Sequence, residues 1–148
     1  MADNIKVMFT KTHKDAIVPE YQHHGDAGCD LFALEDVELY PQDIALIRTG
    51  ISIQLPNESM EAQIRSRGGF AYSQGVIVLN SPGTVDYGYR GEIKIILMNV
   101  GKDAFSIKSG DRIAQMVFAH VYRGYFLEMT ELDESVRGDG GFGSTGTN

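Results

Sequence analysis

Apolar and polar positions alternate with a period of two along most of the chain, in runs too short for helices. Ile5, Val7 and Phe9 alternate with Lys6, Met8 and Thr10, which predicts a half-buried strand. Residues 11–26 are polar, carry Pro19 and His23-His24-Gly25, and read as a connection. Strands follow at Asp30–Ala33, Val37–Tyr40, Ile44–Ile47 and Ile51–Leu55, with a Pro41-Gln42-Asp43 turn inside the series and Pro56-Asn57 ending it. Met60, Ala62 and Ile64 then alternate with Glu61, Gln63 and Arg65. Apolar runs enter a polar loop from Val76 and leave it through Ile93–Leu97. Phe105–Ile107, a Ser109-Gly110-Asp111 turn, an apolar Arg112–Tyr122 and an alternating Tyr125, Leu127, Met129 complete the series. The one short helical stretch, Gly69–Gln74, is weakened by glycine. Many short strands without intervening helices predict an all-β sandwich or jelly roll with at most one short helix.

Composition narrows the class. At 148 residues, 43% hydrophobic and 22% charged, the chain fits one soluble domain that can bury a core without staples. A formal charge of −7 argues against nonspecific nucleic-acid binding. A single cysteine forms no internal disulfide, no apolar run approaches membrane-spanning length, and Met1-Ala2-Asp3-Asn4 opens no basic-then-apolar leader. A cytoplasmic protein with no nucleic-acid or membrane partner is therefore expected. From Gly138 onward the chain is rich in glycine, serine and threonine around the lone aromatic Phe142. Such a tail is either an ordinary loose terminus or a flap that orders on a ligand.

The loop from Leu79 to Gly91 concentrates chemistry: an amide (Asn80), a Pro-Gly turn, one carboxylate (Asp86), two tyrosines and an arginine between two strand-forming runs. Such a hairpin would hold polar groups at a rigid mouth. Asp86 could orient or deprotonate a water beside a metal and phosphates, or merely cap a turn. Four further places set small residues beside charge: Ala27–Leu31, Arg65–Ala71, Gly110–Gln115 and Arg137–Gly146. Arginine offers planar donors to phosphate oxygens, and glycine-rich backbone lets amides approach them. The tail is not a P-loop, since Gly-Lys-Ser/Thr and a following helix are missing. His23, His24 and Cys29 lack zinc-ligand spacing, and nothing supports Cys29 as a nucleophile.

Taken together, these five segments resemble, in order and spacing, the five motifs of the trimeric dUTP pyrophosphatase (dUTPase) family, over nearly the whole length. The resemblance implies a distorted jelly roll assembled as a homotrimer with active sites shared between subunits. A jelly-roll domain with its crossing arm would span 1–136, and a glycine-rich lid 137–148. The implied reaction converts dUTP and water to dUMP and pyrophosphate with Mg²⁺ on the triphosphate, limiting uracil in DNA and supplying dUMP for dTMP synthesis. Asp86 would position the water that attacks the α-phosphorus. Asn80 and the backbone of Gly83, Thr84 and Val85 would read uracil, and Tyr89 would lie under the deoxyribose. Arg67, Gly68, Gly69, Gln115 and Arg137 would bind phosphates, with Lys94 a further candidate at the hairpin exit. Phe142, with Gly143 and Ser144 beside it, would stack on uracil as the tail orders. No residue would ligate the metal directly; Asp30 would support neighbouring polar groups or the metal's waters.

One position departs from the family pattern. Gly69-Phe70-Ala71 and Gly75-Val76 fix the register, so Arg67 is the motif arginine and Gly68 stands where the family usually has a phosphate-contacting serine. Ser66 should not replace it, because on an extended strand it faces away from Arg67. Two rival readings follow: a dUTP-binding regulatory homologue with weakened catalysis, and a dCTP deaminase, which shares the fold. The deaminase reading suffers from Ile96, where that relative carries a glutamate base.

Overall fold

The computed structural model describes residues 4–142 and 144. Within them lie eleven strands and one helix: β1 (Met8–Lys11), β2 (Gly28–Phe32), β3 (Val37–Leu39), β4 (Ile44–Arg48), β5 (Ile51–Gln54), β6 (Met60–Arg65), α1 (Gly68–Gln74), β7 (Val76–Val78), β8 (Gly83–Val85), β9 (Lys94–Asn99), β10 (Phe105–Ile107) and β11 (Arg112–His120). All pairings are antiparallel. A four-stranded sheet runs β2-β11-β6-β8, a three-stranded sheet runs β4-β9-β7, and β1-β5 and β3-β10 form two ribbons. This is the expected all-β jelly-roll sandwich with one short helix.

Alternation decides what the sheets bury. Leu31, Ala62, Ile64, Val85, Ala114 and Met116 from the four-stranded sheet join Ile47, Val76, Val78, Ile95 and Leu97 from the three-stranded one in a single core. Truncating one of the larger of these, such as Leu31, Ile95 or Met116, to alanine typically costs about 2–5 kcal/mol. Buried polar groups are matched. The amide of Asn99, fully buried at the end of β9, donates to the Leu39 and Asp103 carbonyls and accepts from the Gly101 amide, each at 2.8 Å.

Three expectations need correction, and one is met. The central loop is not one open hairpin mouth. β7 and β9 pair as hairpin arms, but Gly83–Val85 leaves them to pair with Ala62–Ile64 of the other sheet, so the loop ties the two sheets together. The short helix expected near Gly69–Gln74 does form, as α1: Gly68 and Gly69 occupy only its first two positions, and it stops at Gly75 in the left-handed region (φ 69°). β1 is not half-buried: all four of its residues are exposed, Phe9 included, as is Ile5 before it, because among the described residues β5 is its only strand partner. Beyond β11 the alternating Tyr125, Leu127 and Met129 form no strand; the chain from 121 to 142 has none and leaves Tyr122, Tyr125, Phe126, Leu132 and Val136 almost bare. Among the described residues no neighbouring strand is there to accept them.

Candidate active site

The loop between β8 and β9 is braced by its own side chains. The Tyr89 amide donates to the Asp86 carbonyl at 3.1 Å, closing a turn. Arg90 donates to the carbonyls of Tyr87 (2.6 Å) and Tyr89 (3.1 Å) with its guanidinium 5.6 Å from the Tyr87 ring centre. That arginine is spent on its own loop. The Tyr89 hydroxyl donates to the Glu92 carbonyl at 2.9 Å, and the ring crosses Gly91 so closely that any Cβ there would collide with it. Glu92 in turn accepts a fork from Arg48 (3.0–3.3 Å), the Gly50 amide (3.0 Å) and the Thr12 hydroxyl (3.2 Å). Burial alone would raise the Glu92 carboxyl, yet these donors hold it below its ordinary range.

The cleft so framed has a volume of about 620 Å³ and is lined by Asn80, Gly83, Thr84, Val85, Asp86, Tyr89 and Lys94, with Leu46, Ile64, Ile95 and Ile96 among its apolar walls. Asp86 is exposed, and among the described residues its carboxylate accepts no hydrogen bond. Asp26, Asp36, Asp43 and Asp111 behave differently, each accepting from a backbone amide at 2.8–2.9 Å. Asp86 thus lines the cleft with an unengaged carboxylate, and among the described residues that carboxylate caps no turn.

A second cluster lies outside this cleft. Arg67 pairs with Asp30 (3.4 Å), donates to the Arg112 carbonyl (2.8 Å), and stands 5.2 Å from the Phe70 ring centre. Arg112 reaches the other Asp30 oxygen at 3.5 Å. Asp30 is thereby the brace of two arginines. Gln115, paired with Asp30 across β11 and β2, donates to the Ser66 carbonyl at 2.9 Å. A side chain at Gly28 would meet the Gln115 amide oxygen at 2.5 Å, so the small residue keeps that amide in place. Gly68 and Gly69 follow at the start of α1, with open space around both Cα atoms. Cys29 is buried beside this cluster, donates its thiol to the Met116 carbonyl at 3.5 Å, and has its pKa pushed up by burial.

A family model for dUTPase matches residues 14–146. The chain belongs to the dUTPase family. The deoxyuridine 5'-triphosphate nucleotidohydrolase of Clostridium kluyveri is 49% identical over 143 residues, spanning 97% of this chain and 99% of its own. That of Gloeothece citriformis is 51% identical over 142 residues, spanning 96% and 97%. Among solved structures, the dUTPase of Staphylococcus bacteriophage 80alpha with dUPNHPP is 27% identical with a TM-score of 0.89, covering 96% of this chain and 99% of that one.

The dUTPase-family residues named from sequence therefore fall into three places on one chain. Asn80, Gly83, Thr84, Val85, Asp86, Tyr89 and Lys94 share the cleft. Arg67, Gly68, Gly69, Gln115 and Asp30 lie around the start of α1, and neither Arg67 nor Gln115 lines the cleft. On the tail, Arg137 donates to the Gly140 carbonyl at 2.8 Å, Phe142 is fully exposed, and the Ser144 amide donates to the Gly141 carbonyl at 3.0 Å. Gly143 lies outside the described residues. Sequence reasoning overlooked the Arg48–Glu92 clamp, the pairing of Arg112 with Asp30 and the contacts of Ser66. The first two join residues 44 and 82 positions apart, and no local pattern records such contacts.

Proposed function

We propose that this protein hydrolyses dUTP to dUMP and pyrophosphate, with Asp86 holding the attacking water. The observation that carries the reading is the unengaged Asp86 carboxylate on the wall of a cleft that also holds Asn80 and Tyr89. The phage 80alpha relative with dUPNHPP supports a deoxyuridine nucleotide as ligand. Uracil's edge meets the Asn80 amide and the backbone of Gly83 to Val85, while the Tyr89 ring underlies the sugar and leaves no room for a 2'-hydroxyl. Water oriented by Asp86 attacks the α-phosphorus and its proton passes toward the carboxylate. The bond to the α,β-bridging oxygen breaks, and pyrophosphate leaves with the electron pair.

Arg67, Gly68, Gly69 and Gln115 stand apart from the cleft that holds Lys94, which favours a site completed between copies of the chain in a homotrimer. Arg67, the Gly68 and Gly69 amides, Gln115 and Lys94 would receive the phosphates, and Arg137, Phe142, Gly143 and Ser144 would close over them as a lid. Mg²⁺ fits as an ion carried by the triphosphate. Among the described residues no three His, Cys, Asp or Glu side chains gather into a cage, and both Asp30 oxygens face arginines. Asp30 would then bear on the ion through neighbouring groups or its waters. Bound Mg²⁺ supplies charge neutralisation on the phosphate oxygens.

Pyrophosphate release measured with dUTP, dCTP, dTTP and UTP tests the reading. Release from dUTP alone is expected. Binding of dUTP without release would instead support a regulatory homologue. The apolar Ile96 on the cleft wall speaks against deamination of dCTP. Among the described residues no helix is long and apolar enough to cross a membrane, and a cytoplasmic location is part of the proposal.

A further inference from the structure

Ser66, between the end of β6 and Arg67, uses both of its hydrogen-bonding ends. Its carbonyl accepts from Gln115 Nε2 at 2.9 Å, and its Oγ accepts from the Val78 amide at 2.9 Å. Val78 ends β7, the edge strand of the three-stranded sheet. On such a strand alternate amides turn away from the sheet and need a partner elsewhere. The Leu79 amide points inward to the Ile96 carbonyl (2.9 Å), so the Val78 amide points outward, to Ser66. The Val78 carbonyl accepts from the Ser81 amide at 3.1 Å, closing the turn that carries Asn80. Asn80 then packs on Gly83, where a Cβ would meet Nδ2 at 3.0 Å. A continuous line of contacts thus runs from Gln115 through Ser66 and Val78 to the turn at the mouth of the cleft.

We propose that Ser66 is the positioning residue of the base-reading turn: its hydroxyl fixes the Val78 amide, and through it the placement of Asn80 against uracil. The proposal rests on the reading of the cleft as a dUTP site and deepens it. It also separates Ser66 from the phosphates: the effect belongs on substrate binding and base choice and leaves the chemical step alone.

The test uses the full-length protein with Ser66→Ala and Ser66→Thr. For Ser66→Ala, KM for dUTP is expected to rise and the preference for dUTP over dTTP to fall, each about five- to thirtyfold, the worth of one lost hydrogen bond, with kcat little changed. Ser66→Thr, which keeps the hydroxyl, is expected to restore both. Calorimetry with dUMP should show the same weakening in Ser66→Ala, and hydrogen exchange at the Val78 amide should speed about tenfold or more as its partner is lost. Should Ser66→Ala fail to fold, Ser66→Cys, with its weak sulfur acceptor, is expected to give the same KM and selectivity changes. Wild-type KM and dTTP exclusion in a folded Ser66→Ala would overturn the proposal, as would a loss confined to kcat. A wild-type protein that releases pyrophosphate from none of the triphosphates would sink the proposed function instead. Ser66 would then stand or fall on dUMP binding and Val78 exchange alone.

Discussion

Asp86 is available because its neighbours do the structural work of the loop. Arg90 holds the Tyr87 and Tyr89 carbonyls, and the Tyr89 hydroxyl holds the strand that follows. Asp86→Asn should therefore fold normally and bind dUTP, while kcat falls by about 10²–10⁴ for want of the carboxylate; pyrophosphate release and calorimetry together check this. Loss of binding would make Asp86 a structural residue. At Gly68 a Cβ would meet nothing within 4 Å. Gly68→Ser should thus change stability by no more than about 0.5 kcal/mol. If the added hydroxyl reaches a phosphate, kcat should rise by up to about tenfold. The neighbouring Ser66 shows how far sequence can carry such an argument. Strand geometry separated it from Arg67, but its true partner, Val78, sits on another sheet and leaves no local trace.

Most strands were legible because alternation records which face is buried. Met60–Arg65 and Phe105–Ile107 appear at their expected bounds. The failures share a cause. For Ile5, Phe9, Tyr125, Leu127 and Met129 the pattern is that of a buried face, yet among the described residues one chain supplies too little surface to bury it; Val7 alone of that series packs against the core. The site was legible as a set of residue types. Its bracing was not, since the Arg48–Glu92 clamp depends on β4 meeting the strand after the loop. That clamp has a pH signature. Glu92 is held below its ordinary value near 4.5, so its contribution to stability is full above that pH and is lost as pH falls through the lowered value. Glu92→Gln should melt below wild type at pH 7, and the gap should close progressively as pH falls below the ordinary carboxyl value; thermal unfolding across pH checks it.

At the scale of the molecule, the bare apolar side chains from Tyr122 to Val136 and the exposed β1 ask for covering surface. In the proposed trimer the first would be the crossing arm, and light scattering should return three times the 16.3 kDa chain mass. Deleting 138–148 should leave that mass ratio intact and cripple turnover, because its described residues have no part in the core and the proposed lid would lose Phe142, Gly143 and Ser144. Unchanged activity would return the tail to an ordinary terminus. The separation of Asp86 from Arg67 and Gln115 on one chain has a genetic corollary. Asp86→Asn and Arg67→Ala chains, each dead alone, would spoil different halves of a shared site. Refolded together in equal amounts, they should complement, with about a quarter of the sites pairing an intact aspartate from one parent with an intact arginine from the other.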